Sequence, residues 1–255
     1  MKIAVILRQV PDVVEELVIA EDGRSLAEDE VMHITNEADE HALEEALVLK
    51  ARHAARVTAV AVGGDEAKDA LATAVAKGAD EAVWVPVPSE HRGDNVRLAS
   101  VLSPAMKSAA YDVILTGVWA ADQVDAGLAG LLAMHLSLPY VGGVVYVSLE
   151  ADGTKGVVRK EFPGGRLGVM EIAFPAVLGI QSAEQPPRYV PVSKVVQAKR
   201  TLQVKEQGEP PQVAQGIRAS KLTKSGSAAR AEMLPGDVTQ VAEQVVRILR
   251  ERGMV

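Results

Sequence analysis

The chain is 255 residues long, carries a formal charge of −7 and contains no cysteine. That length suits one large α/β domain, or such a domain plus an appendage, while the lack of thiols excludes disulfides, thiolate nucleophiles and cysteine-ligated metal or iron–sulfur centres. Lys and Arg are scattered rather than massed into a phosphate-tracking stripe, so nucleic acid is not an expected partner.

Hydrophobic residues make up 48% of the chain and aromatics 3%, so the core is built mainly from Ala, Val and Leu. The first apolar run, Ile3 to Leu7, ends at Arg8 and is too short for a signal-peptide core. No later run approaches a membrane-spanning length, so the expectation is a cytoplasmic protein without membrane insertion.

Residues 2–8, KIAVILR, lack helical periodicity and read as a parallel strand buried on both faces. A helix follows from Asn36 to Ala54. Asn36 is placed to cap it, Asp39 sits three residues on as in a capping box, and Ala42, Leu43, Ala46 and Leu47 share one face. On this pattern Glu44, Glu45 and Lys50 face largely outward. Val57 to Val62 is a second strand, ending at Gly63-Gly64; Asp65 is expected to cap the next helix, which Gly78 stops. Ala82 to Val87 reads as a strand, Asn95 to Ala110 as a helix and Asp112 to Thr116 as a strand. A further helix ends near Leu138-Pro139.

Tyr140 to Leu149 is the next expected strand. A hairpin turning at Pro163-Gly164-Gly165 and a buried strand from Pro175 to Ile180 follow. Residues 188–235 are polar and poor in large apolar side chains, the composition of a segment that wraps a partner. A final helix, Val238 to Arg252, starts at Asp237 and stops at Gly253. Strands alternating with helices imply right-handed crossovers. The reading is a doubly wound, mostly parallel, Rossmann-like α/β domain over residues 1–187, with an arm and helix over 188–255 that pack on a partner subunit.

Ligands of such sheets lie outside the carboxyl ends of the strands, near the point where strand order reverses. The ends in question are Ile6 to Val10, the loop before Asn36, Gly63-Gly64 and Gly117 to Ala129. A helix N-terminus carries unpaired N–H groups and can hold a phosphate without a basic side chain, and Ala126, Gly127 and Ala129 are small enough to let one approach. Asp122 or Asp125 would cap that helix but also repel an anion. A plain strand-to-helix turn is the competing reading.

Other motifs are less informative. VGGDEAKDA resembles the glycine-rich loop of nucleotide-alpha hydrolases, but it follows the wrong strand and lacks both serines, so a glycine turn with an N-cap is preferred. Neither a G-x-G-x-x-G nor a Walker loop is present. His41 and Glu45 lie one turn apart without a third metal ligand at suitable spacing. No catalytic constellation emerges, so the chain is not expected to be an enzyme. Trp119 either stacks on a ligand ring or fills a gap in an Ala-rich core. Lys194, Lys199, Arg200 and Lys205 form either a docking surface for acidic groups or a solvated face.

Several segments together resemble one family, the electron-transfer flavoprotein beta subunits. They are RQVPD (8–12), NEADEHALEEALVLK (36–50), VTAVAVGG with ALATAVAKGADEAVWV, TGVWAADQVDAGLAGLLAMHLSLP and PPRYVPVSKVVQAKR, in order over residues 1–202. The resemblance implies a heterodimer whose alpha subunit carries the redox-active FAD, while the beta chain buries a structural AMP and helps close the flavin site. In bifurcating relatives a second FAD takes the AMP position. Electrons come from acyl-CoA dehydrogenases and related flavoenzymes and pass to a quinone oxidoreductase. By matching position, nucleotide contacts fall at Ile6, at Asn36, Glu37, Ala38 and Asp39, at Gly63, and over Gly117 to Leu128 including Asp122, Asp125, Ala126 and Gly127. The segment Arg188 to Gln197 matches the dehydrogenase-recognition loop, with Val192 as its apolar anchor.

Departures from the family pattern are Glu37-Ala38 for Pro-Phe, Gly127-Leu128-Ala129 for Gln-Val-Gly, Trp119 for Gln and Val192 for Leu. They bear on whether AMP, a second FAD or nothing fills the pocket. The alternatives to a carrier subunit are a stand-alone adenine-nucleotide-binding protein or hydrolase of similar fold, and a structural subunit with an empty pocket.

Overall fold

The computed structural model describes residues 1–123, 125–150, 152–207, 216–217, 219–224 and 233–255. Two compact units divide it, Met1–Leu222 and Thr223–Val255.

The first unit is built on one sheet. Its strands are β1 (Lys2–Pro11), β2 (His33–Thr35), β3 (Arg56–Gly63), β4 (Glu81–Pro86), β5 (Val113–Gly117), β6 (Tyr140–Leu149), β7 (Lys155–Phe162), β8 (Arg166–Ala173), β9 (Ala176–Ile180) and β10 (Val204–Glu206). Their order is β10-β4-β3-β1-β5-β9-β6-β7-β8, with β2 added to β1. The run from β10 to β6 is parallel; β7 and β8 extend it as an antiparallel hairpin.

Side-chain alternation along the central strands supplies both faces. Ile3, Val5 and Leu7 of β1 join Val57, Ala59 and Ala61 of β3 in one core, against α1 (Glu37–His53) and α2 (Ala67–Lys77). Ala4, Ile6, Val60 and Ile114 face the opposite core, with α3 (Asn95–Ala109) and α4 (Leu128–Leu136). The helix after β1 and the helix after β5 thus lie on opposite faces although their strands are neighbours. The point where strand order reverses is therefore between β1 and β5, and the crevice of interest opens at Arg8 and Gly117.

Several expectations need correction. Glu44 and Glu45 do not face outward; they are 3% and 1% exposed. Asn36 holds the N-cap position of α1 but its side chain caps nothing, and Asp39 forms no capping box because its carboxylate is engaged by β1 and β5. Asp65 does not cap α2. It pairs with Lys68 at 2.6 Å, and the helix starts after Glu66.

The polar stretch after Pro187 carries regular structure that the sequence reading missed. Helix α5 (Val192–Thr201) packs on α2 through the buried Ala198, and β10 lengthens the parallel edge beside β4. Residues 188–206 are thus part of the first compact unit. Of the expected partner-wrapping stretch 188–235, residues 208–215, 218 and 225–232 lie outside the described residues.

In the second unit, α6 (Val238–Glu251) opens with a reciprocal capping box between Asp237 and Gln240 and buries none of its residues. Gly253, at φ 67°, supplies the left-handed stop expected there.

Candidate functional site

The crevice between β1 and β5 is closed at its base by an ion pair. Arg8, in the last part of β1, reaches Asp39 in the first turn of α1 through Nη2 to Oδ1 at 2.7 Å and Nε to Oδ2 at 2.9 Å. The same carboxylate accepts the backbone N–H of Arg8 and of Gly117, both at 2.8 Å. Charge, hydrogen bonds and burial here agree: the pair is 3% and 0% exposed, and each oxygen has two donors.

Arg8 also organises the loop after β5. Its Nη2 donates to the carbonyls of Gly117 and Trp119 at 3.0 and 3.1 Å, and its Nη1 donates to Gln123 Oε1 at 3.0 Å. Asn36 Nδ2 donates to the same Trp119 carbonyl at 2.8 Å. Gly117 is required by space: a Cβ there would lie 2.5 Å from Asp39 Oδ1 and 2.6 Å from the carbonyl carbon of Ala38. Backbone geometry thus brings Asn36, Ala38, Asp39 and Gly117 together.

A second cluster forms at the start of α4. Asp125 accepts the Gly127 N–H at 2.8 Å and is itself held by the Nδ2 of Asn95, the first residue of α3. The N–H groups of Leu128, Ala129 and Gly130 open the helix and have no acceptor within it. Ala126 is exposed and Leu128 buried.

Asp122 keeps solvent access, yet protein crowds its carboxyl. Lost hydration, with the Asp39 charge adding to it, pushes the group up to about 6 despite the pull of Arg8 and Arg92. Trp119 is 47% exposed and fills no gap in the core, which removes one of its two readings.

Three expected contacts stand apart from these clusters. Ile6 is fully buried within the sheet, Glu37 points to solvent, and Gly63 lies at the end of β3, where its carbonyl accepts Trp84 Nε1 at 3.0 Å. Between Arg8, Gln9, Val62, Arg92 and Leu98 remains a cavity of about 10 Å³, room for about one water. Arg92 and Asn95 escaped the sequence reading, and Arg8 and Gln123 lay inside its spans Ile6 to Val10 and Gly117 to Leu128 without a role of their own. A basic residue ending a buried strand, opposite an acid in the next helix's first turn, was the available signal for Arg8.

Helix α1 grips a second segment. His41 Nδ1 accepts the Ala183 N–H at 3.2 Å, and Glu45 accepts the N–H groups of Val147 and Glu184 at 3.2 and 3.0 Å. Burial pushes the Glu45 carboxyl up, outweighing those bonds. Glu44 receives the Arg188 backbone N–H at 2.9 Å and its guanidinium at 2.7 Å. Burial works to raise this carboxyl too, but the Arg188 hydrogen bonds and charge hold it below the usual range. His41 and Glu45 are thus occupied by backbone donors, and among the described residues no cluster suits a metal ion. Of the basic run, Lys199 pairs with Asp69 and Lys205 with Glu81.

No helix among the described residues is long and apolar enough to cross a membrane. A family model described as the electron transfer flavoprotein domain matches residues 24–212. The chain is 31% identical over 264 residues to an electron transfer flavoprotein subunit beta of Methylophilus methylotrophus, covering 98% of each chain. It is 35% identical over 195 residues to the protein of that name from Clostridium acetobutylicum, covering 76% of this chain and 74% of the other. With the Bacillus subtilis one the identity is 29% over the full length of both. A doubly wound sheet, the crevice at its reversal point and these matches agree: the chain belongs to the electron transfer flavoprotein family, alongside its beta subunits.

Proposed function

We propose that this chain is the beta subunit of a heterodimeric cytoplasmic electron carrier. In this reading an alpha subunit carries FAD, and the present chain binds AMP at the β1/β5 crevice and helps enclose the flavin. The bound flavin supplies the electron-accepting and electron-donating chemistry. The chain itself binds, spaces and shields. Acyl-CoA dehydrogenases are the proposed donors and a quinone oxidoreductase the acceptor.

The observation that carries the nucleotide site is the open first turn of α4, with small Ala126 and Gly127 beside it. The N–H groups of Leu128, Ala129 and Gly130 suit a phosphate, and the Asp125 carboxylate on the Gly127 N–H opposes it. In this reading the nucleotide lies outside the Arg8–Asp39 pair, since the cavity beside Arg8 has room for about one water. Arg8, Asp39 and Asn36 then act by holding the loop from Gly117 to Gln123 in place. For docking, Tyr189 and Val192 are 85% and 73% exposed within the proposed recognition segment Arg188–Gln197, an apolar pair suited to a protein surface.

Co-purification with the alpha subunit tests the reading. A yellow heterodimer releasing flavin and AMP in equal amounts on heating is expected. A colourless monomer that hydrolyses ATP would overturn it in favour of a stand-alone nucleotide enzyme.

A further inference from the structure

Two adjacent glutamates on one helix, both almost fully buried, demand an explanation, because a charge removed from water is costly unless it is fully hydrogen-bonded. Apart from Val147 of β6, which also donates to Glu45, their partners lie in one stretch of chain. Glu45 and His41 accept the N–H groups of Glu184 and Ala183, Arg52 pairs with the Glu184 side chain at 2.7 and 2.9 Å, and Glu44 takes Arg188. One face of α1 thus holds residues 183–188.

The last of these grips is the strongest. Glu44 Oε1 and Oε2 receive Arg188 Nε at 3.1 and 2.9 Å, Oε1 receives Nη2 at 2.7 Å, and Oε2 receives the backbone N–H at 2.9 Å. A two-pronged side-chain contact plus a main-chain bond fixes both the position and the direction of the residue. Arg188 is followed directly by the exposed Tyr189, then by Pro191, the N-cap of α5, and by the exposed Val192 and Val196. Glu44 is buried and Arg188 half-exposed, whereas Tyr189, Val192 and Val196 beyond them are open to solvent.

We infer that Glu44 is a positioning residue for partner docking: through Arg188 it holds the Tyr189–Val192 surface in the arrangement that an electron-donating flavoenzyme recognises. This rests on the docking role proposed for Arg188–Gln197. Pre-ordering a segment removes part of the entropy that binding would otherwise cost. Loss of the grip therefore weakens docking without touching electron transfer inside the docked complex.

The test uses the purified heterodimer and an acyl-CoA dehydrogenase that reduces the wild-type carrier. Glu44→Gln should raise KM for the carrier about tenfold with kcat and flavin content unchanged, the pattern of a lost pre-organisation. Arg188→Lys, which keeps the charge but not the two-pronged contact, should give a smaller rise. Faster amide hydrogen exchange at Arg188 and Tyr189 in both variants would accompany it. Val192→Asp is the control for docking itself. If Val192→Asp raises KM while Glu44→Gln and Arg188→Lys do not, the inference fails and the docking role stands. If Val192→Asp has no effect, the docking role fails and the inference goes with it. Should Glu44→Gln not fold, Arg188→Lys alone decides, since its side chain is 42% exposed. Equal losses of kcat and flavin content would assign Glu44 to the fold and overturn the inference.

Discussion

Arg8 and Asp39 face each other across the reversal point of the sheet, joined by two side-chain hydrogen bonds of 2.7 and 2.9 Å. Together they tie β1, the first turn of α1 and the loop after β5 to one another. Because the pair is buried, removing one member strands the other. Asp39→Ala should cost about 3–5 kcal/mol of unfolding free energy, measured by urea titration, by leaving a buried guanidinium without its partner. The double replacement Arg8→Met with Asp39→Leu should cost clearly less than Asp39→Ala, since it removes both charges. Equal losses would mean the carboxylate serves the Gly117 and Arg8 backbone donors rather than the guanidinium.

Gly117 is needed for the room it leaves, not for its backbone angles. Gly117→Ala would push a methyl group to 2.5 Å from Asp39 Oδ1, with Ala38 backbone equally close. A loss of about 1–3 kcal/mol is expected from such overpacking. At Gly93 the nearest atom to an added Cβ is 3.6 Å away, so Gly93→Ala should stay within about 0.5 kcal/mol of wild type. Thermal unfolding of the two variants compares them directly.

Asp122 gives stability a dependence on pH. Its folded-state value of about 6 lies above the ordinary 3.8, so between those values the folded chain keeps a proton that the unfolded chain has released. Its contribution is full at acid pH and is lost as pH rises through about 6. Asp122→Asn should remove this part of the pH profile of the urea midpoint. Carbon-13 titration of the Asp122 carboxyl reads the group itself, and an ordinary aspartate value would refute the environment described.

The start of α4 is tested by charge. Gly127→Glu should empty the heterodimer of nucleotide, measured by chromatography of the heat-released extract, because it adds a carboxylate where a phosphate is proposed. Gly127→Ala is the matched control. Its Cβ meets Asp125 Oδ1 at the same 2.7 Å, so both variants carry the steric strain and only one carries the charge. Equal nucleotide content in the two would move the phosphate elsewhere.

The central strands were legible because a parallel strand covered on both sides needs an unbroken apolar run. Those of β1, β3 and β9 stand out in a chain this poor in aromatics. Strands β2 and β10, three residues each, carry too few side chains to show a period, and α5 buries only Ala198. Glu44 and Glu45 were misread for a different reason. Helical periodicity reports which residues share a face, but here that face meets backbone donors from 147, 184 and 188, which no local pattern reveals. The rule that ligands sit at strand carboxyl ends left four loops to choose from, because strand order is set by non-local pairing, and the Arg8 bond to Asp39 spans 31 residues.

Helix α1 carries Asn36 and Asp39 at one end and His41, Glu44, Glu45 and Arg52 along its length, over 17 unbroken residues. Each residue inserted into such a rod turns everything beyond it by about 100° and advances it about 1.5 Å. A replaced side chain on this helix therefore loses its own attachment alone, whereas a change of length between Asp39 and Glu44 loses a whole set. A single-residue insertion or deletion there would dissolve one set of attachments while leaving the other intact.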